Sequence, residues 1–242
     1  MRFKDQVVVI TGAGRGMGKA MALAYAREGA SLALAARRHA EVLATVTECE
    51  ALGAKAVALT TDVSDSAAVE KLAQHAEKHF KRIDVWVNNA GIWGMGAIDE
   101  LTDAQWAEML ATNLNGVFYG TRAAAKRMKP NGKGSILNVA SVNSQLGCAK
   151  SAHYSASKYG VIGLTEAAAA DLREFSINVN AICPGATSHK EFSPAPGAPG
   201  PLARMLTPVE IAPMALFLTS ADAKMITGAA IDIFGGTQIK IS

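Results

Sequence analysis

Along this chain, short apolar runs alternate with longer alanine-rich stretches whose apolar positions recur at helical spacing. The runs are Val7–Ile10, Ser31–Ala36, Ala56–Thr61, Ile83–Asn88, Ser135–Ala140, Ile177–Ile182 and Ala229–Phe234. Each is nearly continuous in apolar residues, the pattern of a strand covered on both faces. Gly16–Glu28, Ala40–Leu52, Ser66–Phe80, Asp103–Met128, Ala152–Phe175 and Pro208–Leu218 read as helices between them. Strand–helix alternation throughout predicts an α/β fold, a doubly wound parallel sheet of about seven strands with helices on both faces. No linker or repeat divides the chain, so one domain over residues 1–242 is expected. One segment departs from the pattern. Ser193–Pro201 holds four prolines and two glycines in nine residues, which excludes helix and inner strand. Residues 188–206 are therefore expected to form a substrate loop, with 189–205 acting as a mobile lid.

Composition narrows the setting. A chain of 242 residues, 50% hydrophobic and 19% charged, can bury one large core. A net charge of +3 with no basic block gives nucleic acid nothing to bind. No run is apolar enough to span a membrane, and Met1–Asp5 leads straight into the first strand, so no signal peptide is expected. Cys49, Cys148 and Cys183 lie far apart, with neither metal spacing nor a disulfide framework. They are expected to be small buried residues in a reducing, cytoplasmic setting. No metal site is expected.

The first predicted strand runs directly into Thr11-Gly-Ala-Gly-Arg-Gly-Met-Gly18, which opens a helix. Glycines there let the backbone turn tightly and approach a pyrophosphate, whose charge the helix N-terminus stabilises. The spacing is Gly12-x-x-x-Gly16-x-Gly18, not G-x-G-x-x-G: counted from Gly12 the last position is Met17, and from Gly14 it is Lys19. Gly12, Arg15, Gly16, Met17 and Gly18 are candidate dinucleotide contacts, with a plain tight connection as the alternative. The acid expected roughly 20 residues on, for the ribose hydroxyls, is missing. The second strand instead ends in Ala36, followed by Arg37 and Arg38. A small residue and an arginine accept a 2′-phosphate that an acid would repel, and Arg15 is placed to reach it too. NADP is the expected cofactor.

Tyr154 and Lys158, four apart, fall on one face of a helix. A free phenol, with a pKa near ~10, is a poor acid–base group at neutral pH. A cation about 4 Å away, at an effective dielectric of roughly 20, is worth on the order of 4 kcal/mol. That is enough to bring Tyr154 down toward neutrality, where proton transfer is efficient. A solvated helix face is the bland alternative. Ser141 ends the run Ile136–Ala140, where its hydroxyl is placed to bond the oxygen that Tyr154 protonates or deprotonates.

Taken in order, Thr11-Gly-x-x-x-Gly-x-Gly18, Asn88-Asn-Ala-Gly91, Asn113, Ser141 and Tyr154-x-x-x-Lys158 resemble the classical short-chain dehydrogenases/reductases, from Val7 to Gly236. Ser141 and Tyr154 are thirteen apart, as the family's serine and tyrosine usually are. The resemblance implies a Rossmann fold and an NADP-dependent interconversion of a ketone and a secondary alcohol. It implies Tyr154 as general acid/base, Lys158 lowering its pKa and binding the nicotinamide ribose, Ser141 holding the substrate oxygen, and Asn113 fixing a water that links Lys158 to a proton relay. It further implies that Asp62, with Val63 beside it, contacts the adenine. Asn89, Ala90 and Gly91 would pack on the adenosine ribose side, while Pro184, Gly185 and Thr187 face the nicotinamide. A homotetramer is implied as well, with Ala152, Ala156, Gly160, Gly163 and Ala167–Ala170 permitting close helix approach.

The chain also departs from the family. His189 stands where a threonine is frequent, the following segment is short and proline-rich, and Phe234 replaces a common aspartate. His189 and Trp93 are candidates to line the substrate pocket. A 3-oxoacyl-thioester reductase stays open, with Lys126, Arg127 and Lys129 as candidate carrier contacts. A non-catalytic dinucleotide-binding regulator stays open too, though an intact Asn113–Ser141–Tyr154–Lys158 set argues against it. An extended epimerase or dehydratase would need a larger C-terminal domain.

Overall fold

The computed structural model describes residues 1–188 and 204–234. Seven parallel strands form one sheet in the order β3-β2-β1-β4-β5-β6-β7. They are β1 (Val7–Thr11), β2 (Ser31–Ala36), β3 (Ala56–Thr60), β4 (Val85–Asn88), β5 (Gly134–Val139), β6 (Ile177–Pro184) and β7 (Ala230–Ile233). Helices α1 (Gly16–Arg27), α2 (His39–Ala51), α3 (Ser66–Phe80), α4 (Asp103–Leu110), α5 (Gly116–Met128), α6 (Ala152–Leu172) and α7 (Pro208–Thr219) connect them.

The near-continuous apolar runs divide at period two between the layers. Val8, Ile10, Leu32, Leu34, Val85, Val87, Leu137 and Val139 face α1, α2 and α7. Val9, Ala33, Ala35, Trp86, Ile136 and Val179 face α3, α5 and α6. Strand order reverses between β1 and β4, and in such sheets the crevice there, outside the carboxyl ends, is where a ligand binds. A buried ladder stiffens that edge. Asn88 accepts from the Trp86 indole at 2.7 Å and donates to Asn138 at 2.9 Å, and Asn138 donates to Thr165 at 2.9 Å. A Cβ at Gly120 would stand 1.9 Å from the Asn88 amide oxygen, so α5 needs glycine there to approach the ladder.

Two expectations are corrected. The stretch Asp103–Met128 is not one regular helix, because a π-turn at Ala111–Asn115 separates α4 from α5. Such turns insert a residue and re-aim side chains, and this one contains Asn113. Cys148 is exposed, because it lies in the open connection before α6, while Cys49 and Cys183 are buried. Several small residues of α6 serve the chain itself: a Cβ at Gly160 would meet Leu114 at 2.9 Å, and Ala168 and Ala169 belong to the core. Gly163, Ala167 and Ala170 remain exposed.

Residues 189–203, and so His189 and most of the expected lid, lie outside the described residues, as does Gly236. The described ends of that segment are tied together. Leu206 donates its N–H to the Ala186 carbonyl at 2.9 Å, and the Ser188 N–H donates to the Leu206 carbonyl at 2.8 Å. Among the described residues no helix is long and apolar enough to cross a membrane, and no cluster of His, Cys, Asp or Glu is arranged to hold a metal.

Candidate active site

Two clefts open at the carboxyl edge of the sheet. The first, about 830 Å³, is lined by the glycine turn after β1, by Ala36, Arg37, Arg38 and Glu41 after β2, by Thr61, Asp62 and Val63 after β3, and by Asn89–Trp93 after β4. Its floor is packed so closely that only glycine fits. Gly12 has φ +66°, and a Cβ at Gly18 would lie 2.2 Å from the Gly12 carbonyl oxygen. Thr11, buried at the end of β1, accepts the N–H groups of Asn89 and Ala90 at 3.0 and 3.1 Å. Asn89 returns its amide to the Thr11 carbonyl at 2.9 Å. The two expected motifs thus hold each other.

The N-terminus of α1 opens into this cleft with no side chain capping it and no acid in its first turn. By contrast, α3 and α4 are capped by Asp65 and Thr102. An uncapped N-terminus leaves N–H donors and a partial positive charge for an anion. Arg15, Arg37 and Arg38 add full charges along the cleft. These residues fit a dinucleotide bearing phosphates. Sequence reading missed Glu41, whose carboxylate takes Arg38 at 2.9 Å beside Gly14. It named Thr11 only as the start of the glycine motif and gave Ser157 no role; both act through side-chain hydrogen bonds that no spacing announces. Asp62 is held below the usual carboxylate range by two hydrogen bonds from Ser64, with Arg37 contributing less.

The second cleft, about 610 Å³, joins the first at Met17, Trp93 and Thr187. Ser141, Asn143 and Tyr154 line it with Pro184, Gly185 and Ala186. Ser141 is fixed at the end of β5: its hydroxyl accepts the Asn143 N–H at 3.2 Å, and the Ser144 hydroxyl donates to its carbonyl. The Ser141 hydroxyl lies on the same cleft as the Tyr154 phenol and favours its ionised form.

The expected depression of the Tyr154 pKa is not found. Burial raises it, and Ser141 offsets only part of that. The reason is the direction of Lys158. Its ammonium donates to the Val139 carbonyl at 2.8 Å and sits 5.8 Å from the centre of the Tyr154 ring. Lys158 is only 4% exposed, and burial pushes its own pKa from 10.5 down to about 8. Its amine does lie near the first cleft, 3.7 Å from where a Cβ of Gly91 would stand.

Asn113, fully buried on the π-turn, makes its hydrogen bonds to protein groups. Its oxygen accepts the Ile92 N–H at 2.8 Å, and its amide donates to the Ile92 carbonyl at 2.9 Å, with Ser157 at 3.3 Å. Ser157 in turn donates to the Tyr154 carbonyl at 2.7 Å. Asn113 therefore fastens the turn after β4 to the helix that carries Tyr154. His153 is buried against Gly94 and lines neither cleft.

The basic residues considered for a carrier are not at this edge. Lys126 and Arg127 lie in the last turn of α5 and Lys129 just after it, leading into the start of β5, so they lie at the opposite edge of the sheet. Arg127 is bound to Glu70 and Glu77, and Lys129 stacks 4.4 Å over Phe175.

Comparison with known proteins bears on both clefts. The family model described as short chain dehydrogenase matches residues 6–194. Levodione reductase of Leifsonia aquatica is 36% identical over 258 residues, covering 97% of this chain and 95% of that protein. The 2-(S)-hydroxypropyl-CoM dehydrogenase 3 of Xanthobacter autotrophicus is 35% identical over 254 residues, covering 97% of each. A short-chain type dehydrogenase/reductase from Mycobacterium marinum superposes with a TM-score of 0.91 at 33% identity, covering 98% of this chain and 96% of that one. The matched residues hold β1 to β6, the glycine turn, Ser141, Tyr154 and Thr187, and so this chain belongs to the short-chain dehydrogenase family, oxidoreductases of keto and hydroxy groups that use a nicotinamide dinucleotide.

Proposed function

We propose that the chain is an NADP-dependent reductase of free ketones, running the reverse oxidation when the alcohol is in excess. The observation that carries this is the pairing of Ser141 with Tyr154 in a cleft that opens directly off the glycine-lined one. The nicotinamide cofactor, when bound, supplies the hydride. The chain supplies position and protons. The glycine turn and the α1 N-terminus receive the pyrophosphate. Arg15 and Arg37 pair with the 2′-phosphate, where Ala36 leaves room at the end of β2; of the acids lining the cleft, Glu41 is paired with Arg38. Ser141 donates a hydrogen bond to the substrate carbonyl oxygen, and Tyr154 delivers the proton to that same atom. A phenol whose pKa burial raises holds the proton to be delivered at neutral pH, and is a weaker acid than one tuned near the working pH. Lys158, expected to bind the nicotinamide ribose, presents its amine near Gly91 at the edge of the cofactor cleft.

Free ketones are favoured over carrier thioesters because Lys126, Arg127 and Lys129 lie away from the site. The test is NADPH consumption across a panel of ketones and a 3-oxoacyl thioester. Ketone-dependent oxidation supports the proposal, and turnover confined to the thioester contradicts it. The proposal extends to a homotetramer built on α5 and α6, which present Phe118 and Tyr159 at 41% and 47% exposure beside Gly163, Ala167 and Ala170. Only monomer by light scattering at micromolar concentration would contradict that. A reducing, cytoplasmic setting fits three cysteines that are all free.

A further inference from the structure

We infer that the second cleft selects an uncharged, largely apolar ketone carrying a flat ring, and that Trp93 is the residue that seats the ring. This rests on the ketone-reductase reading above. None of the described residues lining the cleft is charged. Its polar groups are the hydroxyls of Ser141, Tyr154 and Thr187 and the amide of Asn143, and much of the remaining wall is Met17, Trp93 and Met205. Hydroxyls and an amide can orient a carbonyl, but they do not neutralise a carboxylate or phosphate.

Among the described residues, several charged groups around the cleft are already engaged. Lys158 is turned to the Val139 carbonyl. Asp232 accepts from Gln145 at 2.7 Å. Arg204, next to Met205, is paired with both carboxylate oxygens of Glu210. From the described lining an anionic substituent would meet no counter-charge, and an uncompensated buried charge is strongly disfavoured.

Trp93 gives the apolar preference its shape. It lines both clefts, so it stands where they meet, and it is 65% exposed. Its segment is held in place from both sides. Ile92 is bound by Asn113, and the Gly96 N–H donates to the Lys150 carbonyl at 2.9 Å, just before the helix of Tyr154. A large indole that is open on a fixed turn offers a flat face for a ring to cover. The methionines opposite adapt to different outlines.

The probes are methyl 4-acetylbenzoate and 4-acetylbenzoate, matched in size and differing in one charge. Their affinities for the full chain saturated with NADP⁺ are measured by calorimetry, apart from turnover. The neutral ester is expected to bind at least about 30-fold more tightly than the acid, the scale on which an uncompensated buried charge acts. Trp93→Ala is expected to weaken the ester about 10-fold on protein kept saturated with NADP⁺, as for loss of an aromatic seat. Met205→Arg, which adds a cation at the wall, is expected to raise acid affinity about 10-fold. Equal binding of acid and ester, or no effect of Trp93→Ala on the ester, overturns the inference even if the enzyme turns over. A preference for the ester without NADPH-dependent turnover leaves the inference standing and overturns only the proposed activity.

Discussion

The two clefts share Met17, Trp93 and Thr187, yet they are assembled in opposite ways. The cofactor cleft is made of consecutive residues just past β1, β2, β3 and β4, with backbone and arginines at its surface. The proposed substrate cleft takes Ala140–Asn143 just past β5, Tyr154 from α6 and Pro184–Thr187 from the end of β6 onward, and adds the distant Met17, Trp93, Met205 and Phe234; none of its described lining is charged. A ligand bound through backbone amides and phosphate charge is written in short local motifs. One bound through apolar shape is spread over the whole chain.

The comparison predicts that the two halves can be damaged separately. The largest expected effect is on the substrate side. Tyr154→Phe removes the proton donor and should lower kcat by about 10²–10⁴-fold, the usual worth of a general acid. The dissociation constant for NADPH should stay within about threefold, because the phenol lines only the second cleft. Loss of NADPH binding in this variant would show that the clefts are not separate.

Next in size is a change on the cofactor side. Ala36→Asp with Arg37→Ile removes a charge-assisted contact and adds repulsion, each worth about 1.5–3 kcal/mol. The ratio of kcat/KM for NADPH over NADH should fall roughly 100-fold, while the order of preference among ketones is retained. A changed ketone order would break the comparison.

The smallest effect is read at the boundary, in Lys158. Its folded pKa, about 8, lies below the ordinary 10.5, so between those values the unfolded chain binds more protons than the folded one. The cost of burying this lysine is full below about pH 8 and disappears as pH rises to 10.5. In the cofactor-free protein, Lys158→Met should therefore be more stable at neutral pH by about 2 kcal/mol, the buried-charge cost less one lost hydrogen bond. The gap should narrow as pH approaches 10.5, as followed by denaturant unfolding. A variant less stable than the parent at pH 7 would mean that Lys158 is better compensated than its surroundings show.

The same contrast explains what could be read from the chain before its structure. Strand and helix order followed from the apolar runs, with ends moved by a residue or two. Gly12 and Gly18 were legible because a positive φ and a 2.2 Å approach admit only glycine. The Tyr154–Lys158 pair was legible as a spacing, but its electrostatics were not. Helical periodicity places two side chains on one face without saying that the Val139 carbonyl captures the amine. Arg127 looked like an exposed cation in the sequence, and only the packing of α3 on α5 gives it Glu70 and Glu77. Trp93 could be suspected of walling a pocket, but its place at the junction depends on Asn113 being turned inward by a π-turn, a feature that α-helical periodicity does not reveal.

The central claim is that hydride passes from NADPH to a ketone carbon while Tyr154 protonates the oxygen. The most direct measurement uses NADPH carrying deuterium at the transferable position of its nicotinamide C4, with NADH labelled alike in parallel. The neutral ketone is supplied to the intact protein, and the alcohol is analysed by mass spectrometry. Deuterium on the carbinol carbon, formed much faster from NADPH than from NADH and abolished in Tyr154→Phe, is the predicted result. Unlabelled alcohol, no alcohol at all, or faster transfer from NADH would contradict the account.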